Sequence, residues 1–284
     1  MKKHFTQYLT SRSRFSCVLL TFSFSLLCIS FTILADTNSA EILRHTYDNI
    51  PSIIPKVKQT QKHNKKSFTQ GWIKDDDFFY ESSGLYGQSF VQRYSKNKVT
   101  TANLPRRYFA EGLTLFDNKI YLLTWKEETL LILDKHTLKI IATLAYSGEG
   151  WGLTHNHSQL IMSDGSASLS FRHATDFTIA RRITISLPLQ LNELEYVDGV
   201  IWANDWKKDD IYAINSRNGC LLAKMNLSQL RENTVKPDNR NVLNGIAYDA
   251  LEKGLWITGK YWPTRYLIEY PSNEINQLKA STNC

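Results

Sequence analysis

Residues Glu111 to Leu144 read EGLTLFDNKIYLLTWKEETLLILDKHTLKIIATL, and this stretch decides the fold. Leu113 to Phe116 is a short apolar run, Asp117-Asn118-Lys119 is a polar turn, and Ile120 to Thr124 is a return run. Leu130 to Leu133 and Ile140 to Leu144 supply two more, separated by the turn residues Asp134 to Thr137. Runs this short, bounded by Asp, Asn and Thr, read as β-strands, and none sustains a 3.6-residue period. The stretch therefore predicts four strands in about forty residues.

The same grammar recurs along the chain, opened each time by a polar or aromatic residue followed by a small or apolar one. The openings are Gln70-Gly71, Glu111-Gly112, Trp151-Gly152, Glu193-Leu194 and Asn244-Gly245, spaced by 41, 40, 42 and 51 residues. A copy after Glu193 turns at Asp198-Gly199 and again at Asn218-Gly219. Four antiparallel strands repeated at this period describe the blade of a β-propeller, which hides its sheet edges by radial repetition. The fold class expected is all-β, a five-bladed β-propeller with four antiparallel strands per blade. An irregular β-sandwich competes, but it does not require such even spacing.

Outward from the repeat, residues 1–35 carry Lys2, Lys3, Arg12 and Arg14 with no acid, followed by a 20-residue uncharged apolar run, Phe15 to Leu34. This reads as a signal peptide, or as an uncleaved anchor, since twenty apolar residues are enough to span a bilayer. Cys28 follows Leu27 and so lacks the small residue that a lipoprotein signal carries before its cysteine. The expected location is exported, periplasmic or secreted, with membrane attachment only if this segment is retained. The formal charge of +7 falls by four when it is removed, so the basic balance belongs largely to the export signal and not to a nucleic-acid surface. Residues 36–66 are expected as a polar lead-in, 67–273 as the propeller and 274–284 as a tail. Cys220 and Cys284 either pair or remain as one buried and one terminal thiol. A monomer is expected.

In a four-stranded blade, the start of the innermost strand and the end of the second share one rim of the channel. The strand-start positions are Gln70, Glu111, Trp151, Asn192 and Asn244; the second-strand ends are Ser83, Trp125, Gly165, Trp206 and Lys260. Three indoles facing one funnel make a pocket for a small flat group, whereas Trp202 and Trp256, mid-strand, suit the core. Glu111 is the single carboxylate in register with this pocket. Desolvation by indoles raises a carboxyl pKa and lets the group take and return a proton near neutrality, while Lys260 on the same rim opposes the rise. The extra residues before the fifth copy, Ser228 to Asn241, read as a loop insertion that borders this rim and shapes access. His155 and His157 flank Asn156 in what reads as an exposed turn, and Ser163-Asp164-Gly165-Ser166 reads as another.

The segments FTQG (68–71), ESSGLYGQS (81–89), FAEGLT (109–114), GEGWGLT (148–154), MSDGS (162–166), LNELE (191–195), IWANDW (201–206) and TGKYWP (258–263) together resemble the glutaminyl-peptide cyclotransferases of the plant and bacterial type. The resemblance implies a five-bladed propeller that converts N-terminal glutamine of peptides and proteins to pyroglutamate, with ammonia released and no metal or other cofactor required. It implies Glu111 as acid/base, Asn192 and Lys260 as polar catalytic partners, and Phe68, Gln70, Phe109, Trp125, Trp151 and Trp206 around the substrate. Asn192, Lys260 or an indole N–H is expected to stabilise the tetrahedral oxygen. Two other classes are compatible with the residues alone: a calcium-dependent lactonase using Glu111, Asn192 and Asn244, and a non-catalytic propeller that binds peptides or glycans on an aromatic rim.

Overall fold

The computed structural model describes residues 43–44, 46–232 and 240–281; the predicted signal segment, half of the predicted insertion and Cys284 lie outside them. Of residues 1–49, the described part is helical at 43–44 and 46–48. Residues 50–284 form a separate compact unit. No helix among the described residues is long and apolar enough to cross a membrane.

Among the described residues, twenty strands form five four-stranded antiparallel sheets, so the predicted five-bladed propeller is what the chain adopts. Strand β1 is Val57–Lys62. Blade 1 is β2 (Thr69–Asp75), β3 (Phe78–Ser83), β4 (Phe90–Tyr94) and β5 (Val99–Asn103), and blade 2 is β6 (Ala110–Phe116), β7 (Lys119–Thr124), β8 (Thr129–Asp134) and β9 (Ile140–Ala145). Blade 3 is β10 (Leu153–His155), β11 (Leu160–Ser163), β12 (Ser168–Arg172) and β13 (Ile179–Thr184). Blade 4 is β14 (Leu191–Val197), β15 (Val200–Asp205), β16 (Asp210–Asn215) and β17 (Leu221–Asn226). Blade 5 has only three strands of its own, β18 (Leu243–Asp249), β19 (Gly254–Gly259) and β20 (Thr264–Glu269), and β1 adds to it as the outermost strand.

The segment expected as lead-in therefore contributes a strand to the propeller and closes the ring. His63, just after β1, fixes that closure. Its Nδ1 lies 2.8 Å from the Trp262 carbonyl of blade 5 and its Nε2 lies 3.2 Å from Glu81 Oε1 of blade 1, with both side chains fully buried. Two helices complete the unit: α1 (Ser228–Glu232), which begins the insertion expected as loop, and α2 (Ser272–Ser281), which takes up the expected tail. Ile275 of α2 is buried in the same cluster as Trp202, Ile257 and Trp262, so the end of the chain packs onto the propeller core. Trp202 and Trp256 are core residues as expected, 0% and 2% exposed.

The apolar alternation of each strand packs one blade against the next: Tyr80 and Val91 of blade 1 share a cluster with Leu113 and Leu122 of blade 2. Around the channel the approach is closer still. A Cβ added at Gly71, Gly112 or Gly152 would overlap backbone of the following blade, so the small residue after each opening is what lets the inner strands close up. In blade 4 the equivalent residue is Glu193. Its carboxylate instead reaches across, accepting from Trp72 N at 3.3 Å and Ile246 N at 2.8 Å, and so ties blade 4 to blades 1 and 5. Register thus corrects the fourth opening by one residue, from Glu193-Leu194 to Asn192-Glu193, because Leu194 pairs with Ala203 as Leu113 pairs with Leu122.

Candidate active site

The innermost hairpins of blades 1, 2, 4 and 5 each carry a register shift at their start: between Thr69 and Gly71, Ala110 and Leu113, Leu191 and Leu194, and Leu243 and Ile246. Gln70, Glu111, Asn192 and Asn244 occupy these four bulges. An extra residue in one strand of a pair breaks the alternation locally and re-aims a side chain, which is how a residue of a buried inner strand comes to face the channel. Beyond each bulge one backbone bond closes the hairpin: Gly84 N to Phe68 O, Trp125 N to Phe109 O, Trp206 N to Gln190 O and Lys260 N to Val242 O, all between 2.8 and 3.1 Å. Phe68, Phe109, Trp125, Trp206 and Lys260 are thereby set at one rim. The blade 1 equivalent is Gly84, one residue after the expected Ser83.

Two rim positions are glycine for a steric reason. A Cβ at Gly84 would overlap the Phe109 ring, and one at Gly165 would lie 2.6 Å from Trp151 Cε2 and Cζ2. Each glycine seats an aromatic wall.

One cavity of about 220 Å³ is lined by Glu111, Asn192 and Lys260, by Phe68, Gln70 and Phe109, and by Trp125, Trp151 and Trp206. The structure brings all nine predicted site residues together. Arg240 and Val242, at the end of the insertion, also line it. Trp151 and Trp206 meet edge-on with centroids 5.3 Å apart, and Phe109 lies 5.5 Å from Trp125. Asn244 is fully buried outside the cavity lining, its Nδ2 donating to the Thr69 carbonyl at 2.9 Å. It braces β2, whereas Glu111 and Asn192, its companions in the lactonase reading, line the cavity. Among the described residues no three His, Cys, Asp or Glu side chains converge to hold a metal.

Glu111 is 5% exposed and accepts from Gln70 Nε2 at 2.9 Å. Burial pushes its carboxyl well above the usual carboxylate range; Lys260 pulls the other way and Glu127 and Glu149 add to the rise. Desolvation outweighs the cation because both groups are withdrawn from water. Burial likewise brings Lys260 down to about 8 against the pull of Glu111, and its ammonium sits 4.6 Å from the Phe68 ring centroid. Gln70 Oε1 and Asn192 Oδ1 are buried with no hydrogen-bond partner. Unmet buried acceptors of this kind destabilise by roughly 1–3 kcal/mol each and suit a ligand rich in N–H groups.

Three supports went unread in the sequence. Ser82 Oγ donates to the Glu111 carbonyl at 2.5 Å and Ser163 Oγ to the Asn192 carbonyl at 2.6 Å, so serines of ESSGLYGQS and MSDGS hold the backbone of two site residues. Glu149 Oε2 accepts from both Trp125 Nε1 at 2.8 Å and Trp151 Nε1 at 3.0 Å, which commits those indole N–H groups. The Ser and Glu spacing within the motifs was visible, but their partners lie on other strands. His155, expected in an exposed turn, is instead half-buried at the end of β10, with Nδ1 2.9 Å from Thr114 Oγ1.

The family model described as glutamine cyclotransferase matches residues 25–270. A glutaminyl-peptide cyclotransferase of Arabidopsis thaliana is 35% identical over 219 residues, 73% of this chain and 68% of that protein. The crystal structure of Myxococcus xanthus glutaminyl cyclase superposes with a TM-score of 0.72 at 28% identity, covering 78% of this chain and 98% of that one. The chain belongs to the glutamine cyclotransferase family.

Proposed function

We propose that this protein converts N-terminal glutamine of peptides and proteins to pyroglutamate with release of ammonia, Glu111 serving as acid and base and no metal being required. The observation that carries the reading is a buried carboxyl in a cavity of about 220 Å³ walled by three indoles and two phenyl rings. A glutaminyl head matches that cavity chemically. Its α-amine and carboxamide supply N–H donors for Gln70 Oε1, Asn192 Oδ1 and Glu111, and its flat amide suits the aromatic walls.

The α-amine attacks the side-chain Cδ, a new N–Cδ bond closes a five-membered lactam, and the Cδ–N bond to the carboxamide nitrogen breaks. Because both reacting groups belong to one residue, walls that hold the side chain folded back supply much of the rate. Glu111 takes the proton from the attacking nitrogen and returns it to the departing one, which leaves as ammonia. The tetrahedral oxygen needs a donor. With Trp125 and Trp151 N–H already given to Glu149, the donors for this task are Lys260 Nζ and Asn192 Nδ2, with Trp206 as the third indole of the lining.

Proton transfer by Glu111 and charge stabilisation by Lys260 leave no task for a metal, so activity should survive exhaustive chelation. The same reading has the protein exported. Its support is the basic and apolar N-terminal segment together with Cys220, which is disulfide-bonded, a state typical of oxidising compartments.

The test is purified protein with a glutamine-initiated peptide, followed by mass spectrometry. The expected product is lighter by one ammonia, and the N-acetylated peptide stays unchanged. Persistence of the starting mass overturns the proposal.

A further inference from the structure

Glu149 lies in the connection between β9 and β10, ahead of Trp151. A single oxygen, Oε2, accepts from Trp125 of blade 2 at 2.8 Å and from Trp151 at the entry to blade 3 at 3.0 Å. The other oxygen, Oε1, lies 3.4 Å from Lys126 Nζ, and that ammonium sits 4.1 Å from the centroid of the Trp125 ring. Two walls of the cavity, carried by different blades, therefore share one acceptor. Burial pushes the Glu149 pKa up, but the Trp151 and Trp125 N–H groups and Lys126 outweigh it, so the group lies below the ordinary value and is ionised.

We propose that Glu149 is a positioning residue of the site: its carboxylate fixes the relative orientation of Trp125 and Trp151, and its charge faces Glu111. This rests on the cyclase reading given above. Indole rings on separate blades have no covalent reason to hold a common angle. A shared charged acceptor supplies one, since hydrogen bonds to an ionised group are about twice as strong as neutral ones. Among the described residues, the charged groups that bear on Glu111 include Lys260 after β19, Glu127 between β7 and β8, and Glu149, and Arg240 lines the same cavity. Removing the Glu149 charge takes away a like charge and leaves Lys260, so Glu111 ionises more readily.

Two variants separate geometry from charge. Glu149→Gln keeps an acceptor oxygen for both indoles, so KM for a glutamine-initiated peptide should stay within about threefold, while the acid limb of kcat/KM moves to lower pH. Glu149→Ala loses the acceptor, and KM should rise about tenfold or more, as expected for about 1.4 kcal/mol of lost binding, with altered near-ultraviolet circular dichroism from the freed indoles. Wild-type KM and near-ultraviolet spectrum in Glu149→Ala overturn the positioning role. Should that variant not fold, an unmoved acid limb in Glu149→Gln overturns the proposal by itself. Wild-type protein that releases no ammonia overturns the cyclase reading instead, and the near-ultraviolet comparison of the two variants still decides whether Glu149 orients the indoles.

Discussion

Gln70 Nε2 donates to Glu111 Oε1 at 2.9 Å across the boundary between blades 1 and 2, and the two residues hold the same bulge position in their innermost strands. The contact gives the buried carboxyl an oriented partner on one oxygen and leaves the other for chemistry.

Replacing Glu111 by Gln tests that assignment. The amide fits the same volume, so the melting temperature should change little, while turnover on a glutamine-initiated peptide should fall by about 10²–10⁴-fold, the usual contribution of general acid–base catalysis. Near-normal turnover would remove Glu111 from the mechanism.

Lys260 is expected to set the alkaline side of the pH profile. Its pKa is depressed to about 8, so the ammonium is present below that pH and is lost above it. The substrate α-amine acts in the opposite sense, since it becomes reactive as it loses its proton. A fall in kcat/KM as pH rises through about 8 is therefore the signature of Lys260. Lys260→Met should lose a hundredfold or more at neutral pH, as for one oxyanion donor, and should lose that falling limb. A wild-type profile that keeps climbing to about pH 10, near the ordinary lysine value, contradicts the role.

Gly165 supports Trp151 by having no side chain. It sits at φ +80°, and a Cβ there would press on the indole. Gly165→Ala should cost about 1–2 kcal/mol from the left-handed backbone and raise KM several-fold as Trp151 moves. Thermal melts and steady-state kinetics on the same preparation check both, and an unchanged KM would show that the indole does not depend on this seat.

Ring closure depends on His63. Burial pulls its pKa down but Glu81 more than restores it, and for Glu81 burial pushes up while His63 outweighs it, so the histidine lies above and the carboxyl below its ordinary value. The stabilisation from the pair is lost as pH falls through the folded value of Glu81 and as pH rises through that of His63. His63→Leu leaves a buried carboxylate alone and should destabilise by about 3–5 kcal/mol. The gap to wild type should be widest between the ordinary values of 4.5 and 6.5. Denaturant unfolding across that range measures it, and a gap independent of pH would mean that the two groups are not coupled as an ion pair.

The shift from fold to site was short in the sequence because a radial repeat turns spacing into position. Any residue at a fixed place in each copy reaches the same rim, so Glu111, Asn192, Lys260 and the three tryptophans could be named before any coordinates. The limits of that reading are equally specific. One-residue slips, at the opening read as Glu193-Leu194 and at Ser83 in place of Gly84, arose because a bulge leaves no trace in apolar alternation. The closing strand β1, VKQTQK, is almost wholly exposed and carries too little apolar pattern to announce itself.

The sequence by itself determined the strand alternation, the blade period and which side chains share the channel mouth, because these follow from local periodicity and translation along the chain. Only the tertiary structure decided that β1 completes blade 5, that Ser82, Ser163 and Glu149 brace the site, and that burial outweighs Lys260 at Glu111. Each of these depends on atoms far apart in sequence and on how much water the packed blades exclude, and neither quantity is written in any local stretch of residues.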